Sequence, residues 1–161
     1  MALAWIEDED LFFSELREGY EWQKEVCSRL RAYGLIVQLP ALSVRTNVSE
    51  IYKYKNELDL RVNGKIVEVK SRRLSFTSPQ DFPYECALVD TVNGYDQKSP
   101  KPTFVLSISR ETGSIIGVHG ASQPFWYKRK MFDNIRYIRD LFYVCRRKYM
   151  LTLDEILRYF S

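Results

Sequence analysis

The sequence is poor in histidine, in cysteine and in long apolar runs. His119 is the only histidine, which argues against histidine-based metal sites and against a serine–histidine–aspartate hydrolase. The three cysteines, Cys27, Cys86 and Cys145, are widely spaced in apolar surroundings. We therefore expect buried thiols in a reducing compartment rather than a disulfide framework or a zinc site. No apolar run approaches the ~18 residues of a membrane span, so no membrane partner is expected.

The residues that are present have an ordinary globular composition. A chain of 161 residues with 45% apolar and 14% aromatic side chains suits one domain that buries a sizeable core. The charge-dense acidic stretch Glu7–Asp10 lacks the basic flank and the apolar centre of a secretory signal. We therefore expect a cytoplasmic protein.

The segment Glu57–Lys70 predicts two short strands joined at Asn63-Gly64, a dipeptide typical of tight hairpin turns. Side chains alternate across a strand, so the apolar residues of each strand share one face. If both apolar rows face the core, Asp59, Glu68 and Lys70 converge on the opposite side. Carboxylates suit a hard cation such as Mg²⁺, and a nearby lysine can orient a metal-bound water or stabilise charge on a phosphate oxygen.

Asp59 followed by Glu68-Val69-Lys70 resembles the PD-(D/E)XK nuclease superfamily, in which an Asp on one strand precedes Glu-x-Lys on the next. Leu58 stands where the name of the superfamily has proline. The resemblance implies a single α/β domain with a central mixed β-sheet flanked by helices, the restriction-endonuclease-like αβββαβ core, over about residues 15–120. The alternative is an exposed amphipathic hairpin on an unrelated scaffold, with ordinary surface charges.

The resemblance also implies roles for the motif residues. Asp59 and Glu68 would bind Mg²⁺, with Mn²⁺ as a substitute, and the backbone carbonyl of Val69 would complete the metal shell. Lys70 would act near the attacking water. The implied activity is hydrolysis of DNA phosphodiester bonds by a small phage-like or resolvase-like endonuclease acting on duplex or branched DNA, in a chain that could form a homodimer. The alternatives are a nuclease acting on RNA and a catalytically inactive nucleic-acid-binding module of the same fold.

A helix is predicted over Leu16–Tyr33, with Gly34 as its stop. Gln23 falls within the apolar stripe of this helix, where an unpaired buried amide would cost about 1–3 kcal/mol. Either its side chain bends out to water or, as the resemblance implies, it takes the place where many relatives carry Glu and orients a metal ligand or a water. Glu21 or Glu25 could fill that place only if the helical phase differs.

Charge is distributed unevenly along the chain, although the formal net charge is only +3. Residues 1–25 hold eight acidic side chains against two basic ones, and residues 120–150 hold eight basic side chains against two acidic ones. This asymmetry predicts a basic face for a polyanion, because phosphate neutralisation releases counterions. The candidate nucleic-acid-binding residues are Arg72, Arg73, Lys98, Lys128, Arg129 and Lys130. The alternative for the last three is that they solvate a surface loop.

Hydrophobic alternation and turn residues predict the remaining elements. In chain order they are a strand over Leu35–Leu39, a loop over 75–85, a basic loop over 90–101, strands over Thr103–Ser109 and Ile115–His119, a helix over Asn134–Lys148 and a short helix from the capping box Thr152–Glu155 to Phe160. We therefore predict one nuclease-like domain over residues 1–161, with a helical C-terminal region over about 121–161.

Overall fold

The computed structural model describes residues 9–40, 59–133 and 138–161. Its helices are α1 (Glu9–Ala32), α2 (Val92–Gln97) and α3 (Leu153–Phe160). Its strands are β1 (Val37–Gln38), β2 (Leu60–Val62), β3 (Lys65–Arg72), β4 (Cys86–Thr91), β5 (Phe104–Ser109), β6 (Ile115–His119), β7 (Tyr127–Asp133), β8 (Ile138–Arg146) and β9 (Leu151–Thr152). Short 3-10 helices occupy Pro79–Asp81, Gly120–Phe125 and Arg147–Tyr149.

The described strands form two sheets. The larger sheet has the order β1-β2-β3-β5-β6-β9, in which β3 and β5 pair in parallel and the other neighbours are antiparallel. The smaller sheet is antiparallel with the order β4-β8-β7. The architecture is therefore mixed α/β, as predicted.

Helices cover one face of the larger sheet. Val26, Cys27 and Leu30 of α1 are buried there, and Ile156 of α3 belongs to the same apolar cluster. Helix α1 ends before Gly34, whose φ of 87° lies in the left-handed region that favours glycine at a helix stop. The predicted helix is confirmed, although it begins earlier, at Glu9.

The predicted β2–β3 hairpin is confirmed. Asn63 and Gly64 both have positive φ, 48° and 81°, as a tight two-residue hairpin turn requires. Leu60 pairs with Val67, and both are buried in the apolar layer beneath α1. The apolar rows of both strands therefore face the helices, and the charged rows face the other way.

The smaller sheet covers the opposite face of the larger one. Val105 of β5 and Ile116 of β6 pack in a second apolar cluster with Val89 of β4 and Cys145 of β8. All six residues of β5 are buried because this strand has a packed layer on each face. The charged side chains of β3 therefore face the space between the two sheets.

Two regions differ from the sequence-based predictions. Residues 138–146 form strand β8, so the predicted helix over 134–148 is wrong there, and residues 134–137 lie outside the described ones. In the predicted helical region, α3 is the one α-helix among the described residues, and its capping box of Thr152 and Glu155 is confirmed. The expected basic loop over 90–101 begins instead with the end of β4 and contains α2, which Thr91 caps by accepting from the Gly94 amide at 2.9 Å.

The cysteines are free thiols, and Cys27 and Cys145 are buried, as expected. Burial raises the pKa of Cys145 to about 11, so this thiol stays protonated at neutral pH. No helix in the described residues combines the length and the apolar character that crossing a membrane requires.

Candidate functional site

Strand β3 carries the charged side of the candidate site. Val67 and Val69 pack on the side of α1, so alternation directs Glu68, Lys70 and Arg72 toward the smaller sheet. Glu68 is only 6% exposed. A carboxylate at such a depth requires charged or hydrogen-bonding partners.

Asp59 lies directly before β2, next to Glu68 in the pairing register. The hairpin pairs Leu60 with Val67, and the same register continued by one residue places Asp59 opposite Glu68. Residues directly opposite each other in antiparallel strands have neighbouring side chains on one face. Asp59 is half-buried. The hairpin thus brings two of the predicted site carboxylates to neighbouring positions.

A chain of ion pairs runs through Glu68. The Lys70 ammonium lies 3.0 Å from Oε1 of Glu68, and the Lys98 ammonium lies 2.6 Å from Oε2. Lys98 also lies 2.6 Å from Oδ2 of Asp90, whose Oδ1 accepts from the Thr91 amide at 2.8 Å. Asp90 and Lys98 are buried like Glu68. The site is therefore larger than the hairpin and extends to β4 and to the segment after α2.

The ion pairs fix the ionisation of the buried groups. Burial opposes the charged form of Glu68, but the adjacent Lys70 and Lys98 ammonium groups outweigh it and lower the pKa of Glu68 to about 2. For Lys98, burial also opposes the charge, but Glu68 and Asp90 outweigh it and raise its pKa above the ordinary value. The carboxylate and the ammonium therefore both stay charged at neutral pH.

Lys98 is buried inside the protein, not exposed as the sequence predicts. The sequence led us to expect its ammonium on an exposed basic loop against nucleic-acid phosphates, but the side chain is 7% exposed and paired inside the protein. Asp90 was not among the candidate residues. The signal that could have found it is the apolar run of β4, Ala87 to Val89, which ends in a carboxylate. Polar residues at the end of a buried strand are common at functional sites, but one such residue is a weak signal.

Arg72 is held by hydrogen bonds inside the protein, whereas Arg73 is exposed. Nε of Arg72 donates to Oγ of Ser107 at 2.8 Å, and Nη2 donates to the carbonyl of Leu88. Burial lowers the pKa of Arg72 to about 10, against the opposing charge of Glu68, so it remains a cation. Arg72 thus ties β3 to β5 and β4 and does not point to solvent as a phosphate contact would. Arg73 is exposed and lies 3.6 Å from Glu18 of α1.

Gln23 lies half-buried on α1, and the helical phase is as predicted. Glu21 and Glu25 are exposed, and Glu21 pairs with Lys24 at 2.9 Å. The core residues of α1 pack on the face of β3 opposite to Glu68. The proposed role of Gln23 toward a metal stays a prediction.

The basic tract lies on an edge strand rather than in a loop. Lys128, Arg129 and Lys130 are exposed on β7, which pairs on one side with β8 in the described sheet. Alternation puts Lys128 and Lys130 on one face and Arg129 on the other. Lys128 Nζ lies 5.9 Å from the ring centre of Tyr143. The three cations therefore do not all lie on one face of the strand.

The oxygen donors of the site suit Mg²⁺ in part. No group of three or more His, Cys, Asp or Glu side chains that could hold a metal is gathered among the described residues. Mg²⁺ usually keeps several waters and takes one or two carboxylates together with substrate phosphate. Asp59 and the ionised Glu68 fit that mode of binding, whereas an all-protein cage is not available in the described part of the chain.

Comparison with known proteins finds no protein-family model, no curated protein and no solved structure that matches this chain. The functional conclusions therefore depend on the residues and their geometry.

Proposed function

We propose that the chain is a metal-dependent nuclease that hydrolyses DNA phosphodiester bonds, acting as an endonuclease on duplex or branched DNA. The observation that carries the proposal is the hairpin register, which pairs Leu60 with Val67 and, continued by one residue, puts Asp59 opposite Glu68, together with the Lys70 ammonium 3.0 Å from the Glu68 carboxylate. Two carboxylates and an amine are the groups that this hydrolysis would use.

The order of the elements supports the same proposal. Helix α1 is followed by the antiparallel strands β1, β2 and β3, then by α2, and β5 pairs in parallel with β3. This order is compatible with the αβββαβ core that the proposal implies, with β4 as an addition in the crossover. A parallel neighbour requires such a long connection, because the chain must return to the same end of the sheet.

Each residue of the site would have its own task. Asp59 and Glu68 would hold Mg²⁺ or Mn²⁺, with the carbonyl of Val69 as a further donor. The bound metal would supply a more acidic water and charge stabilisation at the leaving oxygen. The Lys70 ammonium, with 27% of its side chain exposed, can contact both Glu68 and an incoming phosphate.

Positive side chains would bind phosphates of the substrate at a distance from the scissile bond. Arg73 and the β7 residues Lys128, Arg129 and Lys130 are exposed and can contact phosphates from the positions where they lie. Phosphate contacts of this kind give affinity without sequence preference. Arg72 and Lys98 are excluded from this role by their internal partners.

A second candidate function is a nucleic-acid-binding module without cleavage. It is favoured by the two ammonium groups that hold both oxygens of Glu68, because a metal must compete with Lys70 or Lys98 for this carboxylate. An RNA substrate is the other alternative, and the same experiment addresses it.

The test is a cleavage assay with Mg²⁺ or Mn²⁺ on supercoiled, linear, single-stranded and four-way DNA and on structured RNA. We expect metal-dependent cleavage of DNA, lost in Glu68→Gln and Asp59→Asn. Glu85→Gln removes an exposed carboxylate outside the site and serves as the matched control. Binding without cleavage under all these conditions would favour the inactive module, and cleavage of RNA alone would contradict the proposed substrate.

A further inference from the structure

The Lys98 ammonium lies between two buried carboxylates. Nζ is 2.6 Å from Oε2 of Glu68 and 2.6 Å from Oδ2 of Asp90, so these two oxygens are at most twice that distance apart. At this separation, one cation placed between two carboxylate oxygens can contact both of them. Here that cation is the Lys98 ammonium of the protein itself.

The segment that carries Lys98 is fixed in place. The Lys101 ammonium donates to the carbonyls of Tyr95 at 2.6 Å, of Asp96 at 3.0 Å and of Lys98 at 2.8 Å. The ring of Tyr95 is buried beneath this segment. The backbone that carries Lys98 is therefore tied to the end of α2 on one side and to Lys101 on the other.

The two lysines that contact Glu68 differ in their freedom to leave. The Lys70 side chain is 27% exposed, so its ammonium can move into water when another cation arrives. The Lys98 side chain is 7% exposed, and its departure would take the ammonium away from the buried Asp90 and leave Glu68 with Lys70 alone. Such a loss is strongly unfavourable for a buried ion pair, so Lys98 stays.

We propose that the Lys98 ammonium is a permanent cation of the site. It stands between Glu68 and Asp90, where a second divalent ion would otherwise bind, and the chain therefore takes a single divalent ion, held by Asp59 and Glu68. This inference rests on the proposed metal-dependent function, which it deepens by assigning the metal count. Asp90 acts as a positioning residue that holds Lys98 beside Glu68.

The experiment is a Mn²⁺ titration of the purified full chain without nucleic acid, with free Mn²⁺ measured by electron paramagnetic resonance. The wild-type chain should bind one ion. Lys98→Met should bind two, with the second ion held on the order of tenfold or more tightly than any second ion on the wild type. Lys98→Met combined with Asp90→Asn should return to one ion, because the second carboxylate is gone. Lys65→Met, which removes an exposed lysine from the same strand as Glu68, should behave as the wild type.

Thermal unfolding keeps the test decisive if Lys98→Met is unstable. The variant should unfold at a lower temperature than the wild type in chelator, and Mn²⁺ should raise its midpoint more than it raises that of the wild type. A Lys98→Met chain that stays unfolded at millimolar Mn²⁺ would overturn the inference, since a divalent ion could not then replace the ammonium.

The remaining outcomes separate the inference from the proposed function. Cleavage by a wild-type chain that binds two ions would overturn the inference alone. A folded Lys98→Met chain with the wild-type ion count would do the same. Absence of metal binding and of cleavage in the wild type would contradict both the nuclease proposal and the assigned single ion, even if Lys98→Met gained one ion.

Discussion

The two faces of the larger sheet have different contents. Beneath α1 and α3 the buried residues form an apolar cluster to which β3 contributes Val67. Between the two sheets, apolar residues surround buried polar ones, which are Glu68, Asp90, Lys98, Ser107 and Ser109. Burying apolar area stabilises the fold, whereas burying charges costs desolvation that their pairing only partly offsets. One strand therefore serves stability on one face and carries a chemical site on the other.

The largest difference between the faces should appear in catalysis. If the nuclease proposal holds, Lys70→Ala should lower kcat by about 10²–10⁴-fold, because the ammonium acts on the reacting water or on the transition-state charge. Mn²⁺ affinity should not fall, since Lys70 is not a ligand. Single-turnover cleavage and Mn²⁺ titration measure the two effects. Lys65→Met is the control, and equal rates in parent and Lys70→Ala would exclude Lys70 from the reaction.

The helix-covered face should give the largest effect on stability. Leu106→Ala removes a buried side chain of β5 from the cluster beneath α1 and should lower the free energy of unfolding by about 2–5 kcal/mol. Urea denaturation measures the change. Cleavage by the fraction that remains folded should keep the parent rate, and a lost rate at full folding would contradict the separation of the two faces.

The polar face should make stability depend on pH in acid. The folded-state pKa of Glu68, about 2, lies below the ordinary value of 4.5, so its contribution is present above pH 4.5 and is lost as the pH falls toward 2. We expect a loss on the order of 2–3 kcal/mol over this window. Urea denaturation at several pH values should show a shallower dependence for Glu68→Gln than for the parent. Parallel curves for the two proteins would contradict this assignment.

The exposed basic strand should give the smallest and most uniform effect. Replacing Lys128, Arg129 and Lys130 by Ala should weaken DNA binding similarly for all sequences and flatten the dependence of log K on log salt by about 2–3 units, near 0.9 per lost contact. Binding titrations at several salt concentrations measure the slope. Arg129 lies on the other face of β7. The change in salt slope per replaced residue should therefore differ between Arg129→Ala and the pair Lys128→Ala and Lys130→Ala.

A control with the same loss of charge sharpens that result. Lys24, Arg61 and Lys65 are exposed and lie outside β7, so replacing them with Ala should leave the salt slope close to that of the parent. Identical slopes for the parent and the β7 variant would mean that this strand does not contact nucleic acid.

The sequence predicts the features that depend on local physics. Asn63-Gly64 determines the turn and therefore the register, and with it the neighbouring positions of Asp59 and Glu68. The apolar stripe of α1 and the capping box before α3 are likewise determined by residues close together in the sequence. For this reason the hairpin and the two helices could be predicted, although α1 begins seven residues before its predicted start.

The features that were not predicted depend on distant partners. Residues 138–146 have apolar side chains at spacings that suit a helix or a strand, and pairing with β4 and β7 selects the strand. Lys98 resembles a surface cation in the sequence, and its burial is explained by two carboxylates, Glu68, 30 positions away, and Asp90, 8 positions away. Arg72 is enclosed for a similar reason, since its hydrogen-bond partners lie on β4 and β5.

The parallel pairing of β3 with β5 has a consequence for how this site forms. The β2–β3 hairpin closes through a two-residue turn and can bring Asp59 near Glu68 early, because short loops close fast. Lys98 reaches Glu68 only after the chain has travelled through β4 and α2 and returned toward β5. Contacts between distant segments are slow to form because loop-closure entropy is lost before they contribute stability. A nascent or partly unfolded chain therefore holds the two hairpin carboxylates with Lys70 but without Lys98, and the finished site is a property of the whole chain.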